Sequence, residues 1–594
     1  MQIIHYFNEN NRLAKKIKDK ANFLLTNKLG GYLWLPGSPM SRYQGWFFTP
    51  SDMAGQKIFR VVENIEIENS QPVEEIRNNF WNIERKRGTI AERFFLPPFR
   101  DALVYETSKP VNLKIILDIK ESYNNSQEDR SYEIFEENGL IMARYSQPGL
   151  GVPEIWLAIK SESETRQIIK QWILRNYAFD KNRNSPPFER YVFEALRLPA
   201  SRIVIFSASQ DKEKAVSQVQ YVADNLEYLK KTAQKETKKL LPLFNQPSFS
   251  SPELKMAYLC ARNALQGLLV FDENKKIKGL YAGLPWFFQF WQRDSALCLK
   301  ALALINKSAS QAIFEKMLFG IIKGERINAN IDGWGWLLRQ ANNFSFKRKL
   351  LLAVIEEFIK AGREHSPDDG QCFFHHPRAT WMDSIDRATC AVEIQSLLLN
   401  AYRLASAQYE FWGKKFFYDN QEKDGRQYLK DNLWNGEELA DGLHDNQTAD
   451  FTIRPNVFLA ALAYPKLLTR TEWQKCFENI LPKLWLSWGG LATLDKQNRN
   501  FRTEHTGELS LSYHQGDSWF FLNNLAGLML VEINKKKFMP YIEKIIKASA
   551  HDILWQGIVG HHSELSSAKN LQAEGCLSQA WSAAFYLELL KKLY

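Results

Sequence analysis

The sequence contains no uninterrupted apolar run of 18 residues or more, so it predicts no transmembrane helix and no membrane partner. Its first twenty residues, MQIIHYFNENNRLAKKIKDK, are polar and basic, which argues against a signal peptide. Only six cysteines occur among 594 residues, and no two of them form a CxxC pair. This predicts neither a zinc site nor a disulfide framework, and a reducing cytoplasm is the expected compartment.

Several cofactor and nucleophile motifs are also missing. The sequence has no GxGxxG, no GxxxxGK[ST], no GxSxG and no HExxH. It therefore gives no support for nucleotide binding, serine-hydrolase chemistry or a zinc protease, and we expect no cofactor and no metal. The net charge of +10 comes from Lys and Arg that are interleaved with Glu and Asp. A solvated surface explains this pattern better than a nucleic-acid interface does, because binders concentrate their charge on one face.

Tryptophan, in contrast, is abundant and unevenly placed. Eighteen are present, five before residue 250 and thirteen after it. Many of the later ones stand in polar strings such as FWQRDS, DGWGW, ATWMDS, HQGDSW and SQAWS. Packing in a core is the ordinary explanation for Trp, but aromatic faces beside carboxylates and amides suit a neutral ligand rich in hydroxyl groups. The second half of the chain is therefore the predicted location of a sugar site.

The chain divides by pattern into a β-rich and an α-rich part. Short alternating runs separated by turn clusters predict an antiparallel β-sandwich over 1–210, followed by a helical linker over 211–252. From 253 to 594 about twelve helical segments follow one another. Twelve helices in series are typical of an (α/α)6 toroid. A helical solenoid is the alternative, but no repeat of 33–45 residues supports it.

The even-numbered helical segments share a polar beginning. If these helices form an inner ring, their amino-terminal ends line one pocket. Long loops at 364–387, 484–514 and 552–575 lead to the same end, and loops of such length are usually functional. The polar residues at these positions are Arg293, Asp294, Asp332, Glu393, Arg454, His514, Gln515 and Gln579.

A glycosidase requires two carboxyl groups, one protonated and one ionised. Asp383 follows Trp-Met in a long loop, where apolar neighbours raise a pKa; a helix cap or an ion pair with Arg387 is the structural alternative. Its competitor Asp386 is better explained as a partner of Arg387. Glu564, in the loop before the last helix, could activate water, although on local context alone a solvated loop carboxylate is the favoured explanation.

Asp294 and Glu393 are candidates for binding rather than catalysis. Asp294 suits hydrogen bonds to sugar hydroxyls, with Arg293 keeping it ionised, and a helix cap is the alternative. Glu393 stands among apolar neighbours and is expected to face a polar pocket, because an unpaired buried charge is costly.

Eight motifs follow one another along the chain: GLPWF, WQRD, DGW, TWMD with VEIQ, IRPN, GGLATL, SYHQG and GCLSQAWS. Together and in this order they resemble the amylo-α-1,6-glucosidase part of bacterial and archaeal glycogen debranching enzymes, glycoside hydrolase family 133. The amino-terminal half is similar to the same enzymes through LTNKLGGY and SRYQG. The string WQRDSALCLKAL is also similar to glucoamylases, which share the (α/α)6 fold.

The resemblance implies an inverting enzyme that removes α-1,6-linked glucose from glycogen or branched α-glucan. Asp383 would be the general acid and Glu564 the general base, with their carboxyl groups roughly 6.5–9.5 Å apart. A separate glucanotransferase or phosphorylase is the expected partner upstream. The residues implied to bind substrate are Trp286, Trp291, Arg293, Asp294, Asp332, Trp381, Glu393, Arg454, His514, Gln515, Trp519 and Gln579.

The sequence departs from the family pattern in places. Gln292 replaces the glycine of WGRD, Gln44 replaces a histidine near the amino terminus, and the stretch between Asp383 and Glu393 is short. These departures concern the shape of the sugar subsites. Two other functions stay open: an exo-α-1,4-glucosidase, and a noncatalytic glucan-binding protein that keeps the pocket.

Overall fold

The computed structural model describes residues 1–18, 20–37, 40–50, 52–163, 165–240, 249, 251–324, 331–363 and 372–594. They form two compact units. The first comprises 1–289 with the short segments 551–561 and 576–578, and the second comprises 290–550, 562–575 and 579–594. Residues 364–371 of the predicted loop 364–387 lie outside the described residues. The same is true of residues 241–248 and 250 of the predicted linker.

The first unit is built on one large branched sheet of fifteen strands. The strands are β1 (Gln2–Asn8), β2 (Asn11–Lys16), β3 (Phe23–Thr26), β4 (Tyr32–Leu35), β5 (Gly45–Phe48), β6 (Phe59–Ile67), β7 (Glu75–Asn78), β8 (Ile83–Arg87), β9 (Ile90–Phe95), β10 (Ala102–Glu121), β11 (Ser131–Glu137), β12 (Leu140–Gln147), β13 (Val152–Ser161), β14 (Gln167–Asn176) and β15 (Glu189–Ser209).

Two long strands hold the sheet together. β10 and β15 pair antiparallel along most of their length. The first half of β10 also pairs with β9 and its second half with β6, while β15 pairs with β14 and then with β13. The sheet therefore divides into two branches, and Phe23 of one packs on Phe94 of the other with ring centroids 4.9 Å apart. The predicted sheet-rich amino-terminal region is confirmed.

One pairing departs from the antiparallel prediction. β1 pairs in parallel with β7, from Gln2 opposite Glu75 to His5 opposite Asn78. A parallel pair needs a long connection, and here residues 9–74 supply it. β1 pairs antiparallel with β2 on its other side, so it extends the branch beyond the β7–β8 hairpin.

Helices complete the first unit. The short α1 (Ala178–Asn182) is followed by α2 (Lys212–Asp224) and α3 (Leu226–Lys238), which meet at Asn225. Small buried side chains of α2, namely Ala215, Val219 and Val222, pack with strand residues in one apolar core. The first unit also contains α4 (Pro252–Gly267) and the hairpin of β16 (Leu269–Phe271) and β17 (Ile277–Leu280).

The second unit is helical, as the sequence predicts. One helix of this set is interrupted: Asn534 has extended backbone angles, and its side chain accepts a hydrogen bond from the Lys537 amide (3.1 Å), so a new helix begins there. The helices are α5 (Gln292–Ile305), α6 (Lys307–Ile322), α7 (Ile331–Gln340), α8 (Arg348–Arg363), α9 (Val392–Gln408), α10 (Trp412–Leu433), α11 (Asn456–Ala463), α12 (Arg470–Leu484), α13 (Phe520–Trp555, interrupted) and α14 (Ala580–Leu593).

Strands of two residues each precede or separate these helices. The remaining strands are β18 (Gly283–Leu284), β19 (Cys390–Ala391), β20 (Gly442–Leu443), β21 (Ala449–Asp450), β22 (Ser518–Trp519), β23 (Leu565–Ser566) and β24 (Ser578–Gln579). The helix predicted from residue 515 therefore begins only at Phe520, because Ser518 and Trp519 pair with β23 instead.

Alternate helices of the second unit contact one another in sequence. α5 contacts α7, α7 contacts α9, α9 contacts α11, and α14 contacts α5. Two glycines of the DGWGW string allow the close approach of α7. A Cβ at Gly333 would lie 3.2 Å from the Arg293 amide nitrogen, and one at Gly335 would lie 2.7 Å from a methyl carbon of Leu397.

Within the described residues, no helix is both long and apolar enough to cross a bilayer.

Candidate active site

The amino-terminal turns of α5 and α7 carry three charged side chains that lie together. Asp332 accepts an ion-paired hydrogen bond from Nε of Arg293, and both side chains are buried. Asp294 stands in the first turn of α5 and is also buried. Exposed amide groups at a helix amino terminus favour negative charge, which explains why acids begin both helices. The close approach at Gly333 brings these two turns into contact.

Asp383 belongs to the same electrostatic cluster. Its side chain is exposed, yet desolvation by the surrounding protein raises its pKa; Arg293 opposes this effect and Asp332 adds to it. One arginine thus faces three aspartates, and the positive charge is insufficient for all of them. The cluster favours a protonated carboxyl group that a ligand can reach.

The pKa of Asp294 is raised, whereas the sequence predicts that Arg293 keeps this group ionised. Burial raises the pKa of Asp294 to about 7, although Arg293 acts in the opposite direction. Nε of Arg293 donates to Asp332, so Asp294 shares the positive charge of Arg293 with a second carboxylate. Asp332 and Asp383 add negative charge nearby and raise the pKa of Asp294 further.

Buried neighbours fix the loop that carries Asp383. The indole Nε1 of Trp381 donates to the side-chain oxygen of Asn456 (2.8 Å), at the start of α11. Met382 is fully buried between them, and the Asn456 amide nitrogen lies 3.4 Å from its sulfur. On the other side of Asp383, the Ser384 hydroxyl is 2.7 Å from Nδ1 of His514. The acid is exposed, but the residues on both sides of it are anchored.

The predicted aromatic walls occupy different environments. Trp381 and Trp519 are only 4% and 3% exposed and pack edge to face, with ring centroids 5.4 Å apart. Trp519 stacks on the ring of His514 (5.2 Å, 7°). Trp291, in contrast, is 45% exposed at the start of α5. Trp286 lies in the first unit, where the guanidinium of Arg183 sits 3.7 Å from its ring centroid.

A buried ion-pair network surrounds Glu393. Arg387 pairs with both carboxylate oxygens of Glu393, and its Nε donates to Asp441 (2.9 Å). The expectation that Arg387 is the partner of Asp386 is wrong, since the exposed Asp386 pairs with Arg378 (2.7 Å). Asp441, which the sequence did not single out, completes this network.

Arg454 and His514 lie between that network and the cluster of Arg293 and its aspartates. Arg454 donates to the backbone oxygen of His514 (2.9 Å), and its Nε lies 3.9 Å from Asp441. His514 is fully buried, and desolvation together with Arg454, Arg387 and Arg293 lowers its pKa well below the usual value. His514 is therefore a neutral imidazole close to the Arg293 cluster.

Two glutamines complete the predicted set of polar residues. Gln515 is half-buried, and its side-chain amide lies 3.4 Å from the Leu511 backbone oxygen. Gln579 is 3% exposed, and its backbone amide donates to His562 (2.8 Å). Its side-chain oxygen has no hydrogen-bond partner among the described residues.

Glu564 is held from three directions. The hydroxyl of Tyr513 donates to its Oε1 (2.6 Å), and the backbone amide of Phe520 donates to its carbonyl (3.1 Å). Gly575, with a positive φ of 65°, lies against the other carboxylate oxygen, and a Cβ there would overlap Oε2. The sequence singled out the motifs containing Tyr513 and Gly575 but not these contacts, because the partners are far apart in the chain.

Short contacts link the two candidate catalytic carboxylates. Ser384, next to Asp383, reaches His514; the His514 and Tyr513 ring centroids are 4.9 Å apart; and Tyr513 reaches Glu564. A path of side-chain contacts thus runs from the residue beside Asp383 to Glu564; Asp383 is exposed with a raised pKa, and Glu564 is hydrogen-bonded. Within the described part of the chain, no group of three His, Cys, Asp or Glu side chains is arranged to hold a metal ion.

Comparison with known proteins identifies the helical region. Residues 355–588, which include Asp383 and Glu564, match the family model described as amylo-α-1,6-glucosidase. The resemblance to the amylo-α-1,6-glucosidase family is confirmed. This match supports glycoside hydrolase activity on glucans. No curated protein matches the chain.

A bacterial glucoamylase, whose structure was determined in complex with acarbose, has a similar fold. The two structures superpose with a TM-score of 0.62 at 14% sequence identity, over 98% of this chain and 96% of the glucoamylase. At this identity the likeness shows the fold, a sheet-rich region followed by a helical region.

Proposed function

We propose that this glycosidase removes α-1,6-linked glucose stubs from glycogen or a branched α-glucan, with inversion of configuration. Asp383 donates a proton to the leaving O6 of the branch point. Glu564 removes a proton from the water that attacks the anomeric carbon from the opposite face. The observation that carries this proposal is the contact path Asp383–Ser384–His514–Tyr513–Glu564, which joins an exposed acid with a raised pKa to a hydrogen-bonded one.

The general-acid role rests on accessibility and charge. A general acid must hold its proton near the working pH and still reach the substrate. The exposed Asp383 has a raised pKa, whereas Glu393 and Asp332 are buried and paired with arginines. Asp294 has a raised pKa but is only 7% exposed. Of these four acids, Asp383 alone combines a raised pKa with an exposed side chain.

The general-base role rests on hydrogen bonding. A donor to a carboxylate stabilises its ionised form. Tyr513 supplies such a donor to Glu564 at 2.6 Å, and Gly575 leaves room for the second oxygen. The partner in catalysis must stay ionised while Asp383 is protonated, and these contacts favour that state.

The (α/α)6 toroid is the architecture that we propose for the helical region. The contacts α5–α7, α7–α9, α9–α11 and α14–α5 follow the order of an inner ring. Phe521 of α13 stacks on Trp581 of α14 with ring centroids 4.1 Å apart, which adds a further step. Such a ring supports the proposal that the first turns of alternate helices form the sugar pocket, with Trp291, Arg293, Asp294, Asp332 and Gln579 at its rim.

Product analysis with defined substrates tests this function. We expect glucose release from dextrin with single α-1,6-linked glucose stubs to exceed release from linear maltooligosaccharides at least tenfold. Proton NMR during the first minutes should show β-glucose before mutarotation, because inversion converts the α-linkage. An upstream transferase or phosphorylase would supply such stubs.

Other outcomes would select the alternatives. Faster release from linear maltooligosaccharides would identify an exo-α-1,4-glucosidase, and initial α-glucose would exclude inversion. Saturable glucan binding without any glucose release would identify a noncatalytic binding protein.

A further inference from the structure

The first unit contains a cavity of about 650 Å³ that the glycosidase chemistry does not use. Its wall combines strand β3, helices α2, α3 and α4, and the segment around Val559–His561. This volume lies within the range of about 300–1,000 Å³ that is usual for small-molecule sites. The cavity is therefore large enough to hold a small molecule, and the side chains of its wall decide which kind.

The acids of the wall already have basic partners. Glu236 pairs with Lys239 (2.6 Å), and Glu273 pairs with Lys214, which also lines the cavity. Both carboxylates of the wall thus already have a lysine partner.

Three further cations line the same cavity. Lys28, Arg100 and Lys275 form no ion pair with a carboxylate among the described residues. Two of them lie beside aromatic rings instead: the guanidinium of Arg100 is 4.5 Å from the ring centroid of Tyr221, and Nζ of Lys275 is 5.4 Å from that of Phe99. Cations that line one concave surface favour the binding of an anionic ligand.

Lys28 has the most demanding environment of the three. It is half-buried, and desolvation lowers its pKa, although Glu236 acts in the opposite direction. A partly desolvated ammonium group is costly when, as among the described residues, it has no hydrogen-bond partner, and an anion that enters the cavity reduces this cost. Phosphate is well suited, since it offers several strong acceptor oxygens to more than one cation.

The rest of the wall suits a ring with hydroxyl groups. Trp81 and Phe80 provide apolar faces, while Asn263, Gln266 and Thr232 provide amide and hydroxyl groups. A sugar presents C–H faces and hydroxyl edges, so both kinds of surface find a partner. A purely apolar ligand would make no use of the polar groups of the wall.

We propose that this cavity binds a phosphorylated sugar, with the phosphate at Lys28, Arg100 and Lys275 and the sugar ring between Trp81 and the amides of Asn263 and Gln266. The site is separate from the carboxylates proposed for hydrolysis. The proposal therefore does not depend on which glycosidic bond the enzyme cleaves.

Calorimetric titration of the full chain tests the proposal, with glucose 6-phosphate as the probe. We expect saturable binding that is at least tenfold tighter than that of glucose or of inorganic phosphate, because both parts of the ligand contribute. Lys28→Met and Lys275→Met should each weaken the binding of glucose 6-phosphate at least tenfold. The control Lys86→Met removes an exposed lysine that does not line the cavity, and its affinity should stay within twofold of the wild type.

Several results would overturn the proposal. They are the absence of saturable binding at millimolar glucose 6-phosphate, an affinity that Lys28→Met leaves unchanged, or tighter binding of inorganic phosphate. Tighter binding of AMP than of glucose 6-phosphate would show that the cavity prefers a nucleoside, and it would exclude the proposed sugar ring. Thermal unfolding without ligand establishes that the variants are folded. Asp383→Asn should bind glucose 6-phosphate as the wild type does, which would show that this site is independent of hydrolysis.

Discussion

The two units differ in how many arginines accompany their buried aspartates. In the first unit one aspartate, Asp118, contacts three arginines: Arg60, Arg130 (3.0 Å) and Arg190 (2.8 Å). Burial alone would raise the pKa of Asp118, but the arginines lower it well below the usual range. In the second unit one arginine, Arg293, faces three aspartates, and all three carboxyl groups have raised pKa values.

This difference separates a stabilising cluster from a reactive one. The Asp118 cluster is closed, since its carboxylate is fully buried and always ionised at neutral pH. The Arg293 cluster is short of positive charge, and it exposes one of its acids, Asp383. A surplus of acids at an accessible place retains protons that a general acid can donate. Mutations in the two clusters should therefore have different consequences.

The largest effect is expected at Asp383. Asp383→Asn should lower kcat by about 10²–10⁴-fold, because it removes the proton donor without changing the size of the side chain. Initial rates of glucose release measure this. The matched control is Asp386→Asn in the same loop, which removes an exposed carboxylate paired with Arg378 and should retain nearly full activity. Equal losses in the two variants would contradict the assignment.

At the Asp118 cluster, stability rather than activity should change. Asp118→Asn should lower the free energy of unfolding by about 3–5 kcal/mol, because three buried arginines lose their anion. Chemical denaturation measures this loss, and kcat per folded molecule should stay within twofold of wild type. Glu154→Gln, which breaks an exposed pair with Arg144, should cost less than about 1 kcal/mol. A large loss of kcat in folded Asp118→Asn would remove the contrast between the clusters.

A smaller effect is expected at Tyr513. Loss of a hydrogen bond to a charged group costs about 1.5–3 kcal/mol, so Tyr513→Phe should lower kcat roughly 10-fold to 150-fold. The acid limb of the pH profile of kcat should move to higher pH, since the ionised form of Glu564 loses a donor. Tyr6→Phe removes a comparable exposed hydrogen bond to Glu9 and should have no effect. An unchanged pH profile in Tyr513→Phe would mean that Tyr513 has only a packing role.

The sequence predicted the elements of this fold well and the partners of its charges poorly. Alternation and helical spacing predicted a sheet-rich region followed by helices, because these patterns depend on near neighbours. The pairing of Arg387 with Asp441 and the contact of Tyr513 with Glu564 join residues 54 and 51 positions apart, which no local pattern contains.

The tryptophans illustrate the same limit. Trp381 and Trp519 stand in polar strings, which indicated exposed rings against a sugar, yet both rings are buried in an aromatic cluster. Polar neighbours in sequence do not decide the environment of a side chain where the backbone changes direction in a loop. The glycines of DGWGW also act through packing: they let α7 approach α5 and α9.

The last prediction concerns the change in stability with each unit of pH, which is a small effect for any single step in pH. The pKa of Asp294 rises from 3.8 to about 7 on folding, so the folded protein keeps a proton that the unfolded chain loses above pH 4. Ionisable Asp294 therefore destabilises the fold progressively from pH 4 to 7. This effect is at most about 1.4 kcal/mol per pH unit. Asp294→Asn lacks the penalty, and its melting temperature relative to wild type should rise over this range.

Asp118 should show the opposite dependence. Its folded pKa is depressed, so its contribution is fully present above the unfolded value of 3.8 and is lost as the pH falls towards the folded pKa. The deficit of Asp118→Asn should be constant from pH 8 to 5 and shrink below pH 4. Parallel trends for the two variants would show that the clusters do not differ in the way their ion pairs indicate. We expect opposite trends because arginines hold the folded pKa of Asp118 below its unfolded value, whereas burial and nearby acids raise that of Asp294.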